Sequence, residues 1–90
     1  MKIYLGEATM YRGKNAVQQV IKLLREHHIA GATVYRGILG YGSDWKIREA
    51  KILELSADLP VVIEAVDTSE NIEKILPLVL EMVPKGLCFT

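Results

Sequence analysis

Four groups of residues carry side chains suited to chemistry. Arg12-Gly13-Lys14-Asn15 brings an arginine and a glycine together just after a first apolar stretch. A small phosphate hydrolase of the acylphosphatase kind cradles its oxyanion with such an arginine and backbone amides. The glycine-valine-glutamine-glycine pattern of those enzymes is missing, and the plainer reading is a solvated turn leading into a capped helix. His27 and His28 are neighbours. Adjacent side chains on a helix diverge by about 100°, whereas zinc ligands on one helix sit about three or four positions apart. No metal site is expected there: His28 should pack at the helix end and His27 should meet solvent. Cys88 is the one cysteine, with no histidine in its own segment, so it reads as a core thiol near the C-terminus. The fourth group is the richest. Gly40-Tyr41-Gly42-Ser43-Asp44-Trp45-Lys46 runs on to Arg48, Glu49 and Lys51. Glycines around an aromatic make a flexible exit, and a tryptophan among charges either serves contact or folds back on the core.

The composition narrows what those groups can serve. The 90 residues make one domain, with 11 basic and 11 acidic side chains and no net charge. A nucleic-acid binder draws its affinity from a basic surplus, which is absent. Half of the residues are hydrophobic, so disorder is excluded. A folded monomer of this length exposes roughly 5,300 Å², which leaves one modest core and makes oligomerisation helpful. Glu7 breaks any signal-peptide core, and the longest uncharged stretch, His27–Tyr35, is far short of a membrane span. A cytoplasmic protein is expected.

The elements that must position the loop follow from periodicity. Lys2–Ala8 alternates as a strand. Asn15–His28 has a helical stripe of Val17, Val20, Ile21, Leu24 and His28, with Asn15 as N-cap and Gly31 as stop. Ala32–Leu39 is a second strand, with Val34, Arg36 and Ile38 on one face and Thr33, Tyr35 and Gly37 on the other. The stretch 45–56 is either a long loop with a helical turn or a mobile hairpin arm. Leu59–Asp67 is apolar on both faces, so it is central and covered on both sides. Asp67 and Glu70 resemble a capping box for a helix carrying Ile72, Ile75, Leu76, Val79 and Val83, in which Pro77 should leave a kink or loosen the first turns. Leu87–Thr90 is a last short strand. This order gives an α+β, ferredoxin-like βαββαβ sandwich: an antiparallel four-stranded sheet with two helices on one face. The other face then awaits a second subunit. An RNA-recognition module shares the order, but it needs stacking aromatics on its middle strands, and Leu59–Val66 has none.

At Lys2–Glu7, Gly31–Ile38, Gly40-Tyr41-Gly42, Leu59–Glu64, Val66-Asp67 and Gly86-Leu87 the chain resembles the PII-like signalling superfamily. Within it, the match is to an uncharacterised branch, domain of unknown function one-ninety. The resemblance implies a homotrimer with its sheets facing inward and clefts between subunits that take an adenine nucleotide or a related ligand. It also implies a mobile loop, at about 40–56, that docks on a transporter, enzyme or regulator. Carried over residue by residue, Gly31, Ala32 and Thr33 line the base end of the cleft. Gly40 and Gly42 open the loop and let its backbone approach phosphates, and Lys85 and Gly86 stand where a phosphate clamp remains. Ser43 and Asp44 occupy positions that hold arginine and glutamine in PII proteins, and Leu87 stands where they have a lysine. The weaker clamp points to a less charged ligand, such as a nucleoside monophosphate, or to an unrelated anion. Tyr41, Asp44, Trp45, Lys46 and Arg48 are the expected partner contacts.

The sequence thus predicts a regulatory protein without catalytic activity, without a metal, and with no nucleic-acid or membrane partner. A trimeric scaffold of the same fold with no small ligand is the alternative. A phosphate hydrolase using Arg12 and Asn15 comes third.

Overall fold

The computed structural model describes residues 1–42, 46–50, 58–83 and 87–89. Four strands make the main sheet: β1 (Lys2–Gly6), β4 (Gly31–Arg36), β7 (Pro60–Val66) and β8 (Leu87–Phe89). Their order is β4-β7-β1-β8, and each neighbouring pair is antiparallel. Helices α1 (Ala16–Glu26) and α2 (Ser69–Met82) cover one face, as the ferredoxin-like topology requires. Three short pieces remain. β2 (Met10–Tyr11) and β3 (Lys14–Asn15) form a small hairpin, and β5 (Leu39–Gly40) pairs with β6 (Arg48–Glu49) in a separate ribbon.

The core follows from alternation. Ile3 and Leu5 of β1 and Val61, Ile63 and Ala65 of β7 point at the helices and are buried. Val20 and Leu24 of α1 and Ile72, Ile75 and Val79 of α2 meet them. Lys2, Tyr4, Val62, Glu64 and Val66 alternate to the opposite face, which no described helix or strand covers. The third main strand, β7, is therefore central, and the described elements cover one of its faces.

The local signals differ from expectation in four places. The first is the stop of α1. The left-handed residue is His28, at φ 57°, and Gly31 is instead the first residue of β4. The His28 amide bonds to the Arg25 carbonyl and the Ile29 amide to the Leu24 carbonyl, a full Schellman motif. Ile29, not His28, packs on the core; both histidines are exposed. The second is the start of α2. Its N-cap is Thr68, whose hydroxyl accepts from the Asn71 amide at 3.2 Å. Asp67 sits one residue outside the helix and reaches further, as described below. The third is Pro77: α2 runs unbroken through it, because the proline lies on the exposed side, where water can serve the carbonyl it leaves unbonded. The fourth is β2–β3. Arg12 and Gly13 both have positive φ, at 50° and 77°, the arrangement of a two-residue type I′ hairpin that periodicity did not reveal.

Candidate functional site

Local structure gives Arg12 and Asn15 other partners. The Asn15 side chain caps α1, accepting from the Gln18 amide at 3.1 Å and donating to the Glu7 carbonyl at 3.1 Å. The Arg12 guanidinium lies 5.2 Å from the Tyr11 ring centroid and 3.5 Å from a Glu81 carboxylate oxygen on α2. The Tyr11 hydroxyl also donates to Glu81, at 3.1 Å. These side chains staple the hairpin to the two helices. Cys88 is half-buried, and burial pushes its thiol pKa up, the opposite of what a reactive thiolate needs. Among the described residues, no group of three or more His, Cys, Asp or Glu side chains is placed to hold a metal ion.

The glycine-bracketed segment is where the sheet opens out. β4 ends at Arg36, and the Gly37 amide makes a last bond to the Pro60 carbonyl at 2.7 Å. A Cβ on Gly37 would lie 2.9 Å from the Pro60 ring, and one on Gly40 3.2 Å from it. Only glycine lets the chain leave the sheet this close to the proline. Beyond that point β5 and β6 pair, Leu39 with Glu49 and Gly40 with Arg48, and the Ala50 amide bonds the Ile38 carbonyl at 2.8 Å. Most of the stretch 45–56, for which the sequence predicts a loop or a hairpin arm, lies outside the described residues; the described ones here pair as a short two-stranded ribbon, the arm. Its apolar side chains stand in solvent: Ile38 is 76% exposed, Leu39 60%, Tyr41 61% and Ile47 71%.

Ion pairs gather at the arm's root. Arg36 meets Glu7 at 2.7 Å, and Arg48 Nε meets Asp58 Oδ2 at 3.3 Å. The other Asp58 oxygen accepts from the Ala8 amide at 2.8 Å. The open sheet face carries a second cluster. Tyr35 donates to Glu64 at 2.7 Å, and Lys2 lies 3.5 Å from the same carboxylate oxygen. The Tyr35 bond, aided by Lys2, holds Glu64 below the usual carboxylate pKa and raises that of Tyr35. None of Glu7, Asp58, Glu64 or Lys2 stands out in the sequence; only the sheet register brings them to their partners.

The expected ligand residues are dispersed within one chain. Gly31, Ala32 and Thr33 begin β4, and Thr33 sits opposite Glu64 on the open face. Gly40 lies beyond the other end of that strand, about 13 Å away at roughly 3.3 Å per residue. Gly42 is exposed at the end of its described stretch. β8, which follows Lys85 and Gly86, is three strands from β4, about 14 Å at roughly 4.8 Å per strand. Lys85, Gly86, Asp44 and Trp45 themselves lie outside the described residues. Of the expected partner contacts, Tyr41, Lys46 and Arg48 are on or beside the arm's two strands.

Sequence comparison finds relatives over most of the chain. A UPF0166 protein of Methanocaldococcus jannaschii is 43% identical over 83 residues, which is 92% of this chain and 76% of that protein. A UPF0166 protein of Aquifex aeolicus is 36% identical over 76 residues, 84% of this chain and 72% of that one. Another Aquifex aeolicus UPF0166 match is 39% identical over 56 residues, 62% of this chain and 58% of that protein. No helix among the described residues is long and apolar enough to cross a membrane. The sequence profile of DUF190, described as "Uncharacterized ACR, COG1993", matches residues 1–90, and the chain belongs to that family.

Proposed function

We propose that this chain is a cytoplasmic, PII-like regulatory protein that acts without catalysis. It works as a homotrimer, takes a small ligand in clefts between subunits, and passes the ligand's presence to a partner protein through the arm after β4. The observation that carries the reading is the arm itself. A two-stranded ribbon leaves the sheet between close-packed glycines and presents four large apolar side chains to solvent. Exposed apolar residues grouped in this way mark a contact surface.

One further feature supports it. Among the described residues, Thr33 on an outer strand, Gly40 in the separate ribbon and β8 at the far side of the main sheet lie apart, which favours a cleft completed by a neighbouring copy.

An adenine nucleotide of low charge, or another anion, is the proposed ligand. Two features favour the scaffold reading: Asp44, two residues after Gly42, is an acid that would repel phosphate, and Leu87 stands where the resembled PII proteins have a lysine. A thermal-shift series with AMP, ADP, ATP, cyclic nucleotides and phosphate separates the two. A ligand at about a hundred times its dissociation constant adds about 2.7 kcal/mol, which moves the melting point of a domain this small by several degrees. The sensor reading predicts that shift with AMP at least as large as with ATP. A clearly tighter triphosphate overturns the low-charge ligand, and no shift with any compound leaves the scaffold.

A further inference from the structure

We propose that a charge latch at its root holds the arm in its observed stance, and that Asp58 is the residue on which the latch closes. Asp58 stands two positions before β7 and uses its two oxygens on different parts of the chain. Oδ1 accepts from the Ala8 amide at 2.8 Å, at the exit of β1. Oδ2 faces Arg48 Nε at 3.3 Å, on the returning strand of the arm. Beside it, Arg36 at the end of β4 meets Glu7 at 2.7 Å, a pair within the body that braces the root where the arm leaves the sheet. Arg48 belongs to the arm and Asp58 to the body, so their pair is the one that joins the two. Gly6 makes room for the arrangement: a Cβ there would lie 3.0 Å from Asp58 Oδ1.

The strength of these ties suits a switch. The Arg48 and Asp58 side chains are 31% and 34% exposed, and Arg36 and Glu7 are 60% and 34% exposed. Ion pairs with this access to water are screened by salt and stabilise by little. The arm can be released without unfolding the sheet. Any solute that competes for the Arg48 guanidinium shifts the arm toward the open state, and does so only through its preference for that state. The inference extends the reading of the arm and needs neither a nucleotide nor a partner, so either proposal can fail while the other stands.

The test is limited chymotrypsin digestion of the full chain, following the fragment that ends at Tyr41 by mass spectrometry. Asp58→Asn keeps a carbonyl oxygen for the Ala8 amide and removes the charge from Arg48. It should speed cleavage after Tyr41 about three- to tenfold at low salt. Arg48→Gln should do the same. At about 1 M NaCl, where the screening length falls to about 3 Å, the wild type should approach both variants, and the variants should not change. Rates are normalised to a flexible peptide substrate in the same buffers. Thr68→Ala is the control, because it weakens the body at the α2 cap, away from the arm and its root. Variants cut at the wild-type rate in low salt overturn the latch. So does a Thr68→Ala rate as high as theirs, since cleavage would then report global unfolding.

Discussion

Asn15 shows how a residue that looks chemical is fully occupied by structure. Its oxygen caps α1 and its nitrogen holds the Glu7 carbonyl. Asn15→Ala is expected to cost about 1 kcal/mol, read as a melting point lower by roughly 4–8 °C. Asp67 does comparable work with charge. Its carboxylate accepts from the Thr68 amide at 2.6 Å, the Asn71 side chain at 2.8 Å and the Ala30 amide at 2.8 Å. These bonds, that of Asn71 first, hold its pKa below the ordinary value. A lowered folded pKa means that the stabilisation is complete above the unfolded value, near pH 4, and is lost as pH falls through the folded value. The gap in melting point between wild type and Asp67→Asn should therefore be widest near neutrality and close in acid. A gap that persists at pH 2 would assign the effect to something other than this titration.

At the scale of elements, strands and helices were largely legible because their periods differ and their buried faces are strict. Ile3 and Leu5 alternate, and Ile72, Ile75, Val79 and Val83 keep helical spacing, as in the folded core. What sequence reasoning missed has a common cause. The stop of α1 went to His28 because two backbone bonds and the burial of Ile29 outweigh the strain of a left-handed histidine, a tertiary gain invisible to residue preference. Asp58 was missed because its partners, Ala8 and Arg48, are remote until β1, β6 and β7 are in place. The arm was half legible: its glycines and charges marked a contact segment, but pairing of β5 with β6 depends on register. Expected positions in 43–45, 51–57 and 84–86 lie outside the described residues.

At the scale of the whole molecule, the sheet face opposite the helices argues for self-association. Light scattering at micromolar concentration is expected to give three times the chain mass, and a stable monomer would remove the trimer from the proposal. The polar row on that face sharpens the expectation. Glu64, tied to Tyr35 and Lys2, would be enclosed by neighbours. Replacing it with leucine would remove its pairing rather than its cover. β4 carries a further consequence. Every residue from Ala32 to Arg36 is exposed, the strand is an outer one, and Gly31–Tyr35 bears no charge. A lone copy released by dilution would offer that rim as a template for fibre growth. Assembly would then protect the chain from aggregation, and the concentration at which the protein is stored would decide how much of that rim is left uncovered.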